Sequence, residues 1–216
     1  MQGKTHRVGG VLAALTGYAI LESKGMLVGN VNNLLQLAII YPFAIYGSTL
    51  PDLDHNWDSA PSKDVVSFCI NKVLHLGKGL QKIGLKKVGY LVDSKHRSWQ
   101  THAIEWLIGL IVALYLLIHG YDGSSDYIIL QLILTGLTLG VFSHLLLDAL
   151  TPQGIWLLLP SIVLRRRITF RLVPKSKFFA TGGNWESLVR TIMWLLIALL
   201  ILRVVYLLSP YRISFN

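Results

Sequence analysis

Long apolar runs separated by short polar blocks set the pattern of this chain. Four of the runs, Asn32 to Leu50, His102 to Ile118, Tyr127 to Asp148 and Ser187 to Leu208, are rich in Leu, Ile and Val. Each approaches the roughly 20 residues that a helix needs to cross a hydrocarbon core about 30 Å thick. A fifth, Val8 to Val28, carries Glu22, Lys24 and several glycines. It is read as a span because omitting it breaks the charge pattern described below. The expected architecture is all-α, one integral-membrane domain over residues 1–216 forming a polytopic bundle of four to five spans, with long segments at about 51–101 and 149–186 between them.

Both intervening segments carry signals of their own. Val65 to Leu76 is apolar at helical spacing and is followed by Lys78, Lys82 and Lys86, which predicts an amphipathic helix lying in the membrane interface. In the second segment, Pro152, Pro160, Pro174 and Gly182-Gly183 mark turns, and the alternation Arg167 to Val173 predicts a short hairpin.

Composition agrees with the pattern. The chain is 53% hydrophobic and 14% charged, too few charges to cover the surface of a soluble domain. Cys69 is the single cysteine, which excludes an internal disulfide framework and a Cys-x-x-Cys thiolate site. The weakly basic Met1 to Arg7 stretch is followed by no small-residue cleavage site, so the first helix is expected to stay in place.

The net charge of +9 changes the picture only once its sidedness is considered. With five spans and a cytoplasmic N-terminus, every Lys and Arg falls inside except Lys24, Arg203 and Arg212. The positive-inside rule accounts for such sorting, and it removes the reason to invoke nucleic acid. The expected partner is instead the lipid bilayer, with its anionic cytoplasmic headgroups.

The ionisable residues that are hardest to place beside lipid are His6, Asp52, Asp54, His55, His102, Glu105, His144 and Asp148. With the same topology all of them fall at the cytoplasmic helix ends, and intramembrane ionisable groups mark functional sites. His144 and Asp148 are four residues apart and His102 and Glu105 three apart, so each pair shares a helical face. Pro51 interrupts the second span and leaves Asp52 and Asp54 on one side if the backbone is extended. Mixed imidazole and carboxylate donors on facing helices are the material of bundle metal sites. They favour zinc, with manganese or magnesium as alternatives. The competing readings are a hydrogen-bonded His144–Asp148 pair that steadies the bundle and a solvated Asp52–Asp54 helix stop.

The order of motifs also matters. His6 with Gly9-Gly10, Leu50-Pro51-Asp52-Leu53-Asp54-His55, His96-Arg97 with Thr101-His102, and Ser143-His144 through Asp148 followed by Thr151-Pro152-x-Gly154 together resemble the LexA-regulated, membrane-bound predicted metal-dependent hydrolase family. The resemblance implies a helical bundle of the bacterial inner membrane that binds a divalent metal through His6, Asp52, Asp54, His55, His102, His144 and Asp148. It implies hydrolysis of a phosphoester or other ester, such as a phospholipid or lipid-linked phosphate, at the cytoplasmic leaflet. In that scheme Asp52 or Asp54 is a ligand or the general base, and Arg97 stabilises developing negative charge. The alternative is a non-enzymatic membrane protein whose metal site is structural, sensory or part of a transport path.

Overall fold

The computed structural model describes residues 1–25, 32–54, 64–85, 103–120, 127–157, 161, 163–164, 168–174 and 181–208. Of the expected ligands, His55 and His102 lie outside these residues, as do His96, Arg97, Lys86 and Arg165 to Arg167.

Helices dominate, in the order α1 (Gly3–Ser23), α2 (Asn33–Gly47), a 3-10 turn (Leu50–Asp54), α3 (Val65–Leu74), α4 (Leu76–Lys82), α5 (Ile104–His119), α6 (Ile128–Ala149) and α7 (Asn184–Leu208). Strands β1 (Ile155–Trp156) and β2 (Thr169–Phe170) pair antiparallel between α6 and α7. The alternation around Arg167 to Val173 thus supplies one strand, not a hairpin of its own. Its partner follows α6 directly, after a turn in which Gly154 takes φ of 67°, a conformation that glycine adopts without a Cβ penalty.

Helices α6 and α7 are long and apolar enough to cross a membrane, over Ile128–Ala149 and Asn184–Tyr206. At about 1.5 Å per residue such helices extend past 30 Å. Helices α2 and α5 are apolar but shorter, at 15 and 16 residues. Large apolar side chains on α5 and α7 face outward, among them Ile111, Leu116, Leu195, Leu199 and Leu202. Monomeric soluble proteins seldom show so continuous an apolar surface, whereas lipid tails cover it without cost.

The core is a three-helix unit of α1, α2 and α6, with α7 packed on α1 and α5 packed on α6. Its interfaces are made by small residues. A Cβ on Gly10 would stand 2.8 Å from the Ala44 carbonyl, and one on Gly140 would stand 2.6 Å from the Ser48 backbone nitrogen. Both glycines therefore let α1 and α6 close on the same stretch of α2, in the way that small residues bring membrane helices together. Around that contact Ala14, Ile40, Ala44 and Leu132 form one buried cluster, while Val8, Leu15, Leu147, Met193 and Ile197 form another between α1, α6 and α7.

The segment expected to lie in the membrane interface folds as α3 and α4. Asp64 caps α3 by accepting from the Ser67 backbone N–H at 2.8 Å, and the Ser67 hydroxyl lies 3.1 Å from the Tyr46 hydroxyl. Asn71 donates to the Leu53 carbonyl. These bonds dock α3 on the 3-10 turn that carries Asp52.

Candidate metal centre

Three helix ends build the site. Helix α1 begins at Gly3, five residues before the expected start of its span, so His6 belongs to the second turn of a helix and does not precede it. The extension is held from outside: Glu186 accepts from the Gln2 backbone N–H at 2.7 Å, from the Thr5 hydroxyl and from the Gly182 backbone N–H at 2.6 Å. These groups would otherwise leave N–H donors orphaned at a helix start.

The segment after α2 departs from expectation. The expectation puts Asp52 and Asp54 on irregular backbone, on one side only if that backbone is extended; Leu50–Asp54 is instead a 3-10 turn, with the Asp52 N–H donating to the Thr49 carbonyl at 3.1 Å. Proline lacks an N–H and suits the first turn of a helix, where that donor has no partner. In a turn of three residues, neighbours two apart diverge. Asp52 is buried at 8% exposure and faces the site, while Asp54 closes the turn and its side chain lies outside the described set.

His144 and Asp148 occupy the last two turns of α6, on the face that their four-residue spacing predicts. Both are fully buried, as is His6. The His144 Nδ1 lies 2.7 Å from the Ser48 carbonyl oxygen. A carbonyl can only accept, so Nδ1 carries the proton and a neutral His144 presents the lone pair of Nε2. That nitrogen stands 3.6 Å from Asp148 Oδ2 and 3.8 Å from Asp52 Oδ1, while His6 Nε2 stands 3.5 Å from Asp148 Oδ1. The Met1 ammonium donates to the same Oδ1 at 2.9 Å. Beyond Asp148, the Thr151 hydroxyl donates to the Asp148 carbonyl at 2.7 Å, which fixes the last turn of α6.

This arrangement fits a cation. Among the described residues neither ring nitrogen of His6 has a hydrogen-bond partner although both are buried, and an orphaned buried polar group calls for a missing partner. One ligand atom from each of His6, His144 and Asp148 can be chosen within 4.8 Å of the others. The Met1 ammonium brings one positive charge to Asp148 Oδ1, and a bound cation would further offset the two carboxylates, Asp52 and Asp148, that are buried together here. Two imidazoles with carboxylates suit zinc or manganese, and leave magnesium, which prefers oxygen donors, less well served.

Of the expected ligands, His6, Asp52, His144 and Asp148 converge. Glu186 and the Ser48 carbonyl were not anticipated. Glu186 sits just before the run Ser187 to Leu208, where its neighbours Trp185 and Gly183 gave no sign of a distant partner. A backbone carbonyl leaves no trace in sequence at all.

No curated protein matches the chain, and no solved structure matches it. A family model described as YdjM inner membrane protein matches residues 1–212, which covers all the elements described above. That match spans the site and both helices that are long and apolar enough to cross a membrane, and the chain belongs to the YdjM inner membrane protein family.

Proposed function

We propose that this inner membrane protein is a metal-dependent hydrolase that acts on a phosphoester or other ester at the cytoplasmic leaflet. The observation that carries the reading is the buried convergence of His6, His144 and Asp148, with both His6 nitrogens lacking hydrogen-bond partners among the described residues, at one end of a membrane bundle. The sorting of positive charge supports four to five spans with the N-terminus inside. That topology puts the cluster at the depth of the cytoplasmic headgroups.

A bound divalent ion would supply Lewis acidity and lower the pKa of water. The chain's own residues divide the remaining work. His144 is oriented by the Ser48 carbonyl, and Asp148 holds both imidazoles in place. The Asp52 side chain is 11% exposed while those of His144 and Asp148 are sealed, so Asp52 is the carboxylate best placed to meet an entering substrate and take a proton from water. Arg97 would stabilise charge on the leaving side.

The second reading is a structural or sensory metal site. Complete burial of His6, His144 and Asp148 favours it, because structural sites are closed whereas catalytic ones keep a position open. Purified protein loaded with zinc or manganese separates the two. Release of phosphate or headgroup from inner-membrane lipid extracts, abolished by chelation and by Asp52→Asn, is the expected result. A metal-loaded protein inactive on a broad lipid and phosphoester panel would leave the second reading standing.

A further inference from the structure

Helices α2 and α7 flank α1 and leave an apolar groove between them. Val11 and Leu15 line it from α1, Leu37 and Tyr41 from α2, and Trp194 and Ile201 from α7, around a space of about 400 Å³. Val11 and Leu15 stand five and nine residues after His6, which puts them about 140–180° round the helix from it. The groove therefore lies on the side of α1 turned away from the metal centre. Tyr41, Trp194 and Ile201 are exposed, so it opens outward, where lipid surrounds the bundle.

One end of the groove is cationic. Lys4, Arg7, Val11 and Leu15 follow one another at steps of three and four residues, and so do Arg190, Trp194, Ile197 and Ile201. Each series occupies one helical face. Lys4 and Arg7 are exposed and Arg190 is half-buried. Glu186 ties the first turns of α1 and α7 together through Gln2 and Thr5. The two helices continue side by side, with Val8, Leu15, Met193 and Ile197 in one cluster. All three cations thus gather at the same end. The acidic residue of α7 there, Glu186, is turned inward and buried, while at the far end Arg203 and Glu22 offset each other.

The depth of the groove matches one leaflet. From Arg190 to Ile201 the helix rises about 16 Å at about 1.5 Å per residue, close to half of a hydrocarbon core about 30 Å thick. With the N-terminus inside, the cations stand at the cytoplasmic headgroups and the groove runs through the leaflet beside them. We infer that it holds an acyl chain of an anionic phospholipid whose headgroup is bound by Lys4, Arg7 and Arg190. Apolar surface for any lipid is plentiful on α5 and α7, but here a recess and a cluster of phosphate-binding side chains are aligned. Only the orientation of the chain is taken from the proposed function; neither metal nor hydrolysis enters.

Lipids with brominated acyl chains quench tryptophan on contact, and the full chain in phosphatidylcholine vesicles provides the test. Brominated phosphatidylglycerol is compared with brominated phosphatidylcholine, and Trp194 emission is read as the difference between the wild type and Trp194→Phe. Half-maximal quenching should need about 10–100-fold less of the anionic lipid. The combined substitution Lys4→Gln, Arg7→Gln, Arg190→Gln should erase that preference. Ala38→Phe, which fills the groove from an exposed position, should erase it as well, and decides together with the wild type if the triple variant does not fold. Trp106, exposed on α5 and read in the same way through Trp106→Phe, is the control and should show less preference. Equal potency of the two lipids at Trp194, or an equal preference at Trp106, overturns the site and leaves the proposed hydrolase standing. Reversal of the quenching by excess inorganic phosphate overturns the part played by the acyl chain.

Discussion

Among the described residues helices α6 and α7 are the two that are long and apolar enough to cross a membrane, and they are used in opposite ways. Within their most apolar windows α6 is 39% buried and α7 only 11%. Helix α6 runs through the centre of the bundle, touches α1, α2 and α5, and carries His144 and Asp148. Helix α7 leans on α1 and turns most of its side chains outward, yet its first turn holds Glu186, a carboxylate only 2% exposed. Hydropathy alone does not separate the two. What separates them is the spacing of small residues: Gly136 and Gly140 admit the α2 backbone along one face of α6, and no glycine occurs in α7. Close approach by small residues encloses a helix, and enclosure is what makes a buried ligand set possible.

That contrast can be broken by substitution. The largest effect is expected for Leu145→Ala on α6, where a side chain 2% exposed packs with Leu107, Val141 and Ile155. The cavity it leaves should cost about 2–5 kcal/mol in reversible unfolding in detergent. Gly140→Val should follow, at about 1–3 kcal/mol in the same measurement, because its side chain meets the α2 backbone. Glu186→Gln comes third. It removes the charge that gathers Gln2, Thr5 and Gly182 without removing the side chain's volume, and should weaken metal binding by about 10–100-fold in a competition titration. Unchanged affinity would mean that the start of α1 does not depend on α7. Leu202→Ala, on the outward face of α7 at 64% exposure, should change stability by less than about 0.5 kcal/mol. A loss comparable to that of Leu145→Ala would mean that another surface covers α7.

The sequence carried the helical architecture and half of the site, for reasons visible in particular residues. The apolar runs locate α2, α5, α6 and α7 because lipid and core both demand them. The four-residue step from His144 to Asp148 is local, so helix geometry alone predicts that they share a face. The convergence of His6 and Asp52 on that face followed from sidedness, and the geometry at each was missed. Local pattern read the backbone after Pro51 as irregular and left the shared side of Asp52 and Asp54 conditional on its being extended, although Pro51 sits comfortably in the first turn of a 3-10 helix. It started α1 at Val8, because the groups that extend it back to Gly3 belong to Glu186, more than 180 residues away along the chain. Partners of that kind are set by tertiary packing and leave no periodicity to read.

Stacking of His6 on His144 is likewise invisible in sequence, since it depends on how deeply Gly9 and Gly10 let α1 settle on α6 and α2. The pairing of β1 with β2 joins two-residue strands that are too short for alternation to define. At the opposite end of the bundle, Arg203 and Glu22 lie 3.8 Å apart and partly exposed. Exposed pairs of that kind contribute little, and the contrast with the sealed His6–Asp148 contact shows where polar groups have been gathered at depth.

Metal content of the purified chain tests the central claim most directly. Full-length protein, extracted in detergent without chelator and compared with the double variant His144→Ala, Asp148→Ala, should carry stoichiometric zinc or manganese that the variant lacks while remaining monodisperse and helical. Equal metal in both proteins, or none in the wild type after loading, would contradict the account.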